Sequence, residues 1–134
     1  MTRSRRAALG GALLLALAPM HAAATTDVPS KVELQVAMQR YIEARSHDGW
    51  FVATDTRRGE NLRLSVVKPH PMIFTEGADY VLCYDFADAD GETVNVDFVL
   101  RRAGGRYVVT QLYVSDHQEG TAPRVEERRW NPFR

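Results

Sequence analysis

Three groups of side chains have the types and spacing that could do chemistry. The first is Asp88-Ala-Asp-Gly-Glu92, an acidic run that invites a calcium reading. An EF-hand loop needs oxygen donors at alternate positions and a closing glutamate. Phe86 stands where the donor before Asp88 is required, and Leu100 and Arg101 lie where the glutamate would fall. A solvated hairpin tip accounts for the run more simply. The second group is the histidines beyond the N-terminal stretch, His47, His70 and His117. No two are spaced as ligands on one element, so a zinc site would need all three to converge by folding. His70 stands between Pro69 and Pro71, which reads as a rigid surface connection. The third group is Cys83, Asp85, Asn95, Asp97 and Arg101, which share one face of a hairpin derived below. Acid–base catalysis needs paired titratable groups in a cleft. A sheet face in water holds the same residue types with no function at all. No serine elbow, phosphate-cradling glycine loop or dinucleotide fingerprint is present. The expectation is no catalytic residue, no metal and no cofactor.

Charge and cysteine content narrow the field further. The chain holds 17 basic and 17 acidic residues. Without the three arginines of its first six residues, 14 basic and 17 acidic remain, a net charge of −3. Nucleic acid demands a basic face, and an anionic membrane surface rewards one; a mildly acidic domain argues against the first and gives no reason to expect the second. Cys83 is the only cysteine, so no internal disulfide is possible. It lies within an apolar strand pattern and is expected to be buried.

The elements that must position these groups follow from periodicity. Residues 28–45 read as an amphipathic helix, with Leu34, Ala37, Met38, Tyr41 and Ile42 at helical spacing. Ser30 and Glu33 form a capping-box pattern at its start. Strands are expected over 50–54 and 62–68, then a connection containing Pro69, Pro71 and Gly77. Residues 79–88 and 93–102 form the clearest hairpin. Matching the row Tyr80, Leu82, Tyr84, Phe86 to the row Val94, Val96, Phe98, Leu100 pairs Phe86 with Val94, Tyr84 with Val96 and Leu82 with Phe98. That register sets Asp85 opposite Asn95 and Cys83 opposite Asp97. It leaves Ala89-Asp-Gly91 as a three-residue loop with glycine in the left-handed position.

The last strand, 106–115, is semi-apolar on both faces. A three-residue loop, Ala103-Gly-Gly105, turns Val108, Thr110, Leu112 and Val114 to the core. A loop of two or four residues selects Tyr107, Val109, Gln111 and Tyr113 instead. We favour the first. It places Tyr107, Val109 and Tyr113 beside Val81, Val99 and the Asp85, Asn95, Asp97 cluster, on the face away from the helix. That strip is the expected binding surface. Residues 116–134 lose all pattern and read as a loosely ordered tail, in which Trp130 and Phe133 either fold back onto the domain, the simpler reading, or anchor a partner.

The first 24 residues read as a cleavable secretory signal. Arg3, Arg5 and Arg6 precede the uncharged run 7–18, and Ala22-Ala-Ala24 supplies the small-residue cleavage site. The run is too short for a membrane span, which needs about 20 residues, so no stable membrane insertion is expected after cleavage. Ser4-Arg-Arg-Ala-Ala-Leu9 also resembles a twin-arginine motif, except that Ala8 stands where an aromatic is usual.

These elements define an expected α+β domain over 25–115: one N-terminal helix packed on a curved antiparallel sheet of four to five strands. The layout resembles cystatin-like and nuclear-transport-factor-2-like arrangements. The stretches Tyr80-Val-Leu-Cys-Tyr-Asp-Phe, Val94-Asn-Val-Asp-Phe-Val and Arg106-Tyr-Val-Val-Thr look like those of small exported bacterial proteins of uncharacterised function. The resemblance is one of layout and carries no catalytic residues with it. The expected role is a non-enzymatic periplasmic or secreted binding or accessory protein, with an envelope protein or peptide as partner. The alternative is a small enzyme or ligand-binding protein with a pocket between helix and sheet. The oligomeric state is left open.

Overall fold

The computed structural model describes residues 27–116 and 121–134. The expected leader and His117 lie outside them. In chain order the elements are α1 (Lys31–Ala44), β1 (Ser46–His47), β2 (Trp50–Asp55), β3 (Glu60–Glu76), β4 (Asp79–Ala87), β5 (Thr93–Ala103), β6 (Arg106–Asp116), α2 (Thr121–Arg128) and β7 (Asn131–Pro132).

The expected fold class is overturned. The described chain is mostly antiparallel sheet, with seven strands rather than four or five. The strands run in the order β1-β2-β3-β4-β5-β6, and β7 pairs with β3. Three local events account for the difference. The segment after α1 turns back at once through Asp48 and Gly49, both at positive φ, and so makes the two-residue strand β1. The proline-rich segment does not break the sheet. β3 runs through it with register shifts between Val66 and Lys68 and between Pro69 and Ile73. Bulges are where a strand tolerates prolines, because no ladder hydrogen bond is asked of them. Finally, the segment expected to be a loose tail holds α2 and β7.

α1 begins where its cap predicts: the Ser30 side chain accepts from the Glu33 amide at 3.1 Å. Leu34, Met38 and Ile42 are buried against one face of the sheet. There they meet Phe51, Leu64, Phe86, Val96, Phe98 and Leu100. The aromatic centre is tight, with Phe51 stacked on Phe86 at 5.2 Å and Tyr41 edge-on to Phe98 at 6.1 Å. The β4–β5 hairpin has the register derived from sequence, including Phe86 opposite Val94 and Leu82 opposite Phe98. Asp88 N–H donates to the Glu92 carbonyl at 2.9 Å across the loop, and Gly91 has φ of 83°.

The β5–β6 hairpin differs from the favoured reading. Ala103 pairs with Arg106, so the loop is the two-residue Gly104-Gly105, with φ of 58° and 77°. Two successive left-handed positions suit glycine best, with Asn or Asp also tolerated at the first. Near the turn this puts Tyr107 and Val109 on the α1 face, packed against the main core. A register shift between Val99 and Leu100 then leaves Thr110 as an extra residue in β6. Beyond it the parity reverses, so Leu112 and Val114 return to the α1 face and Tyr113 turns to the other. The two competing loop readings are each right for half of the strand.

Candidate functional site

The face away from α1 carries the cluster Asp85, Asn95 and Asp97, in the expected cross-strand pairs. It is not a solvated face. Asn95 is 6 % exposed and Asp97 fully buried. The cover is the chain's own C-terminal segment. Trp130, 4 % exposed, packs with Phe74, Val81, Cys83 and Val99 in a second core, joined by Tyr113 and Val125. Arg129 at φ 55° ends α2, and Trp130 N–H reaches the Val125 carbonyl at 3.0 Å, the Schellman arrangement. Trp130 Nε1 also donates to Glu76 Oε1 at 3.2 Å. The Arg128 guanidinium sits 3.4 Å from the Tyr113 ring centroid. Tyr113 is therefore occupied by this segment and separated from Tyr107 and Val109 by the sheet. The expected strip Tyr107, Val109, Tyr113 does not exist as one surface.

From α2, Arg124 reaches under this cover. Its Nε donates to Asp97 Oδ2 at 2.8 Å and its Nη2 to Oδ1 at 3.1 Å, a two-pronged ion pair with both side chains buried. Cys83 lies against the pair. Burial pushes its thiol pKa far above the ordinary range, and the neighbouring Asp97 carboxylate pushes it further, with Arg124 opposing. A thiol held protonated is a poor nucleophile. This cluster lies buried between α2 and the sheet and has no access for a substrate.

Further along the same face, His70 Nε2 lies 2.7 Å from Asp85 Oδ1, and the Asn95 amide donates to the same oxygen. Ser115, opposite Asn95 on β6, is buried, and its Oγ has no hydrogen-bond partner among the described residues. Ser, His and Asp on one face suggest a hydrolytic triad, but the spacing rejects it. His70 on β3 and Ser115 on β6 are three strand spacings apart, about 14 Å at 4.7–4.9 Å each. A nucleophile and its base must be in hydrogen-bond reach. Among the described residues no three His, Cys, Asp or Glu side chains gather to hold a metal.

One open feature lies on the α1 side. A groove of about 710 Å³ runs between α1 and the start of β6, with Val36, Ala37, Tyr41, Tyr107 and Val109 among its lining and Gly105 at the turn. Glu33, Arg40, Arg45 and Arg106 form its charged rim. The Arg45 guanidinium lies 3.8 Å from the Tyr41 ring centroid, which holds that side chain along the wall. Tyr107 meets Tyr80 edge-on at 5.7 Å, and Tyr80 meets Phe133 at 5.1 Å, so the C-terminus also braces this wall. Burial raises the Tyr107 pKa, and the neighbouring Tyr80 adds to the rise. Two expected binding residues, Tyr107 and Val109, belong here; Asp85, Asn95, Asp97 and Tyr113 do not. Arg124, His70 and Ser115 were not singled out as partners of the polar cluster, because register alone reveals neither a bulge nor a covering helix. No protein family, curated protein or solved structure matches the chain.

Proposed function

We propose that the protein is an exported, non-enzymatic binding module, and that the groove between α1 and β6 is where it holds its partner. One observation carries this reading. The two faces of the sheet are treated differently: the chain seals one with α2 and Trp130 and leaves an aromatic-lined groove open beside the other. Its volume lies in the range of ligand sites, ~300–1,000 Å³. Val36 on its wall is 39 % exposed. Among the described residues Ser115 lies three strands from His70, too far to serve as its nucleophile, which favours binding over turnover.

The signal pattern in residues 1–24 supports export, and mass spectrometry of the mature protein should find Thr25 as its first residue. The binding reading is tested by placing a photo-crosslinking side chain at Val36, in the groove, or at Val66, exposed on β3 away from it. A discrete adduct in producing cells from the Val36 position alone is expected. Equal, heterogeneous labelling from both positions would sink the reading.

A further inference from the structure

We infer that the occupant of the groove is an extended acidic peptide segment that adds a strand to the outer edge of β6; this rests on the groove being the binding site. β6 ends the strand order, so among the described residues alternate N–H and C=O groups along its outer edge have no partner strand. The other edges are short or guarded. β1 is two residues long. β3 pairs with β2 over its first residues and with β7 at Phe74 and Thr75, and between these it carries Pro69, Pro71 and the bulges. β6 reads Tyr-Val-Val-Thr-Gln-Leu-Tyr-Val after Arg106, rich in strand formers and without proline. Arg57 donates to the Val114 carbonyl and so marks one end of the available edge. At the other end Gly104 and Gly105 place nothing in the way, since a side chain at either would meet open space.

The dimensions agree. Four residues of β6, Arg106 to Val109, line the groove, a length of about 14 Å at ~3.4 Å per residue, with Gly105 of the turn at its end. The wall of α1 from Glu33 to Ala44 covers about 17 Å at ~1.5 Å per residue. An extended segment of about four or five residues fits between them. Its side chains on one face would meet Val36, Ala37 and Tyr41. Its charge follows from the rim, where Arg40, Arg45 and Arg106 outnumber Glu33 and the nearby Asp27. A cationic rim on a domain that is acidic once its leader is removed selects acidic residues. Strand addition supplies affinity through main-chain hydrogen bonds, and the rim supplies the choice of sequence.

The probe is a six-residue peptide alternating valine with aspartate or glutamate, titrated into the mature chain by calorimetry and amide NMR. Binding should shift the resonances of Ala37, Tyr107 and Val109 and slow amide exchange along β6. N-methylating alternate peptide nitrogens removes two or three donors and should weaken binding about tenfold or more. Replacing the acids by lysine should abolish it. Arg40→Glu with Arg106→Glu should do the same to the acidic peptide while leaving the melting temperature unchanged. If the lysine or N-methylated peptide shifts the same groove resonances with equal affinity, strand addition by an acidic segment is wrong although the groove binds. If no peptide binds but the Val36 crosslink still gives its adduct, the peptide inference falls alone; if that adduct is also missing, both fall. Concentration-dependent self-association that protects β6 without peptide would replace the peptide by a second copy.

Discussion

Asp97 and Arg124 illustrate the energetics of a charge placed inside a sheet. Their attraction offsets the cost of desolvating both, so the pair as a whole stabilises little. Removing one partner is a different matter. Arg124→Met leaves a carboxylate buried without its counter-charge and is expected to cost ~3–5 kcal/mol in chemical denaturation. Asp97→Leu together with Arg124→Met should recover most of that loss, and a double variant as unstable as the single one would show that the pair itself holds α2. Cys83 beside it gives a pH signature. Its folded pKa is raised by burial and by Asp97, so the folded thiol keeps a proton that the unfolded chain loses above an ordinary value of 9.0. The unfolded state then binds fewer protons, and stability falls as pH rises. Between about pH 8 and about pH 10 the melting temperature should fall more steeply for the native chain than for Cys83→Ala. Parallel curves would mean that the thiol is hydrated.

Among the elements, β6 is decided by one residue. The glycine turn fixes parity for Tyr107 and Val109, and the extra residue Thr110 reverses it so that Leu112 and Val114 also reach the core. A strand without the bulge could bury only one of these pairs. Deleting Thr110 should therefore expel one of these pairs, most of whose side chains are half-buried, at up to ~1.5–3 kcal/mol each. The predicted loss is at most ~3–6 kcal/mol by urea denaturation, and a deletion with near-native stability would show that the turn can shift to compensate. The central hairpin is the opposite case. Phe98 is fully buried against Tyr41 and Phe51, as its row in the sequence predicts. Phe98→Ala should cost ~3–5 kcal/mol, enough to unfold much of a small domain that has no disulfide.

At the scale of the molecule, the C-terminal segment seals the sheet. Ending the chain at Gly120 removes α2, Trp130 and β7, and it strips cover from Phe74, Val81, Cys83 and Val99 while leaving Asp97 without Arg124. The shortened chain should bind an apolar dye, melt lower and expose Cys83 to thiol reagents. An unchanged melt and an unreactive thiol would mean that the seal contributes nothing. Read alone, the sequence determined the features written in local periodicity and turn chemistry: the cap at Ser30, the burial of Leu34, Met38 and Ile42, and the whole register of β4 against β5. Those depend on residues a few positions apart, whose pattern has one solution. The continuation of β3 through its prolines, the bulge at Thr110 and the docking of Arg124 and Trp130 depend on partners far along the chain. A bulge changes which face a residue occupies without changing its type. An eight-residue helix has too few turns to show a period. The polar cluster therefore had the right pairs but the wrong surroundings, and the groove beside Tyr107 came into being only when the tertiary structure set α1 against the edge of β6.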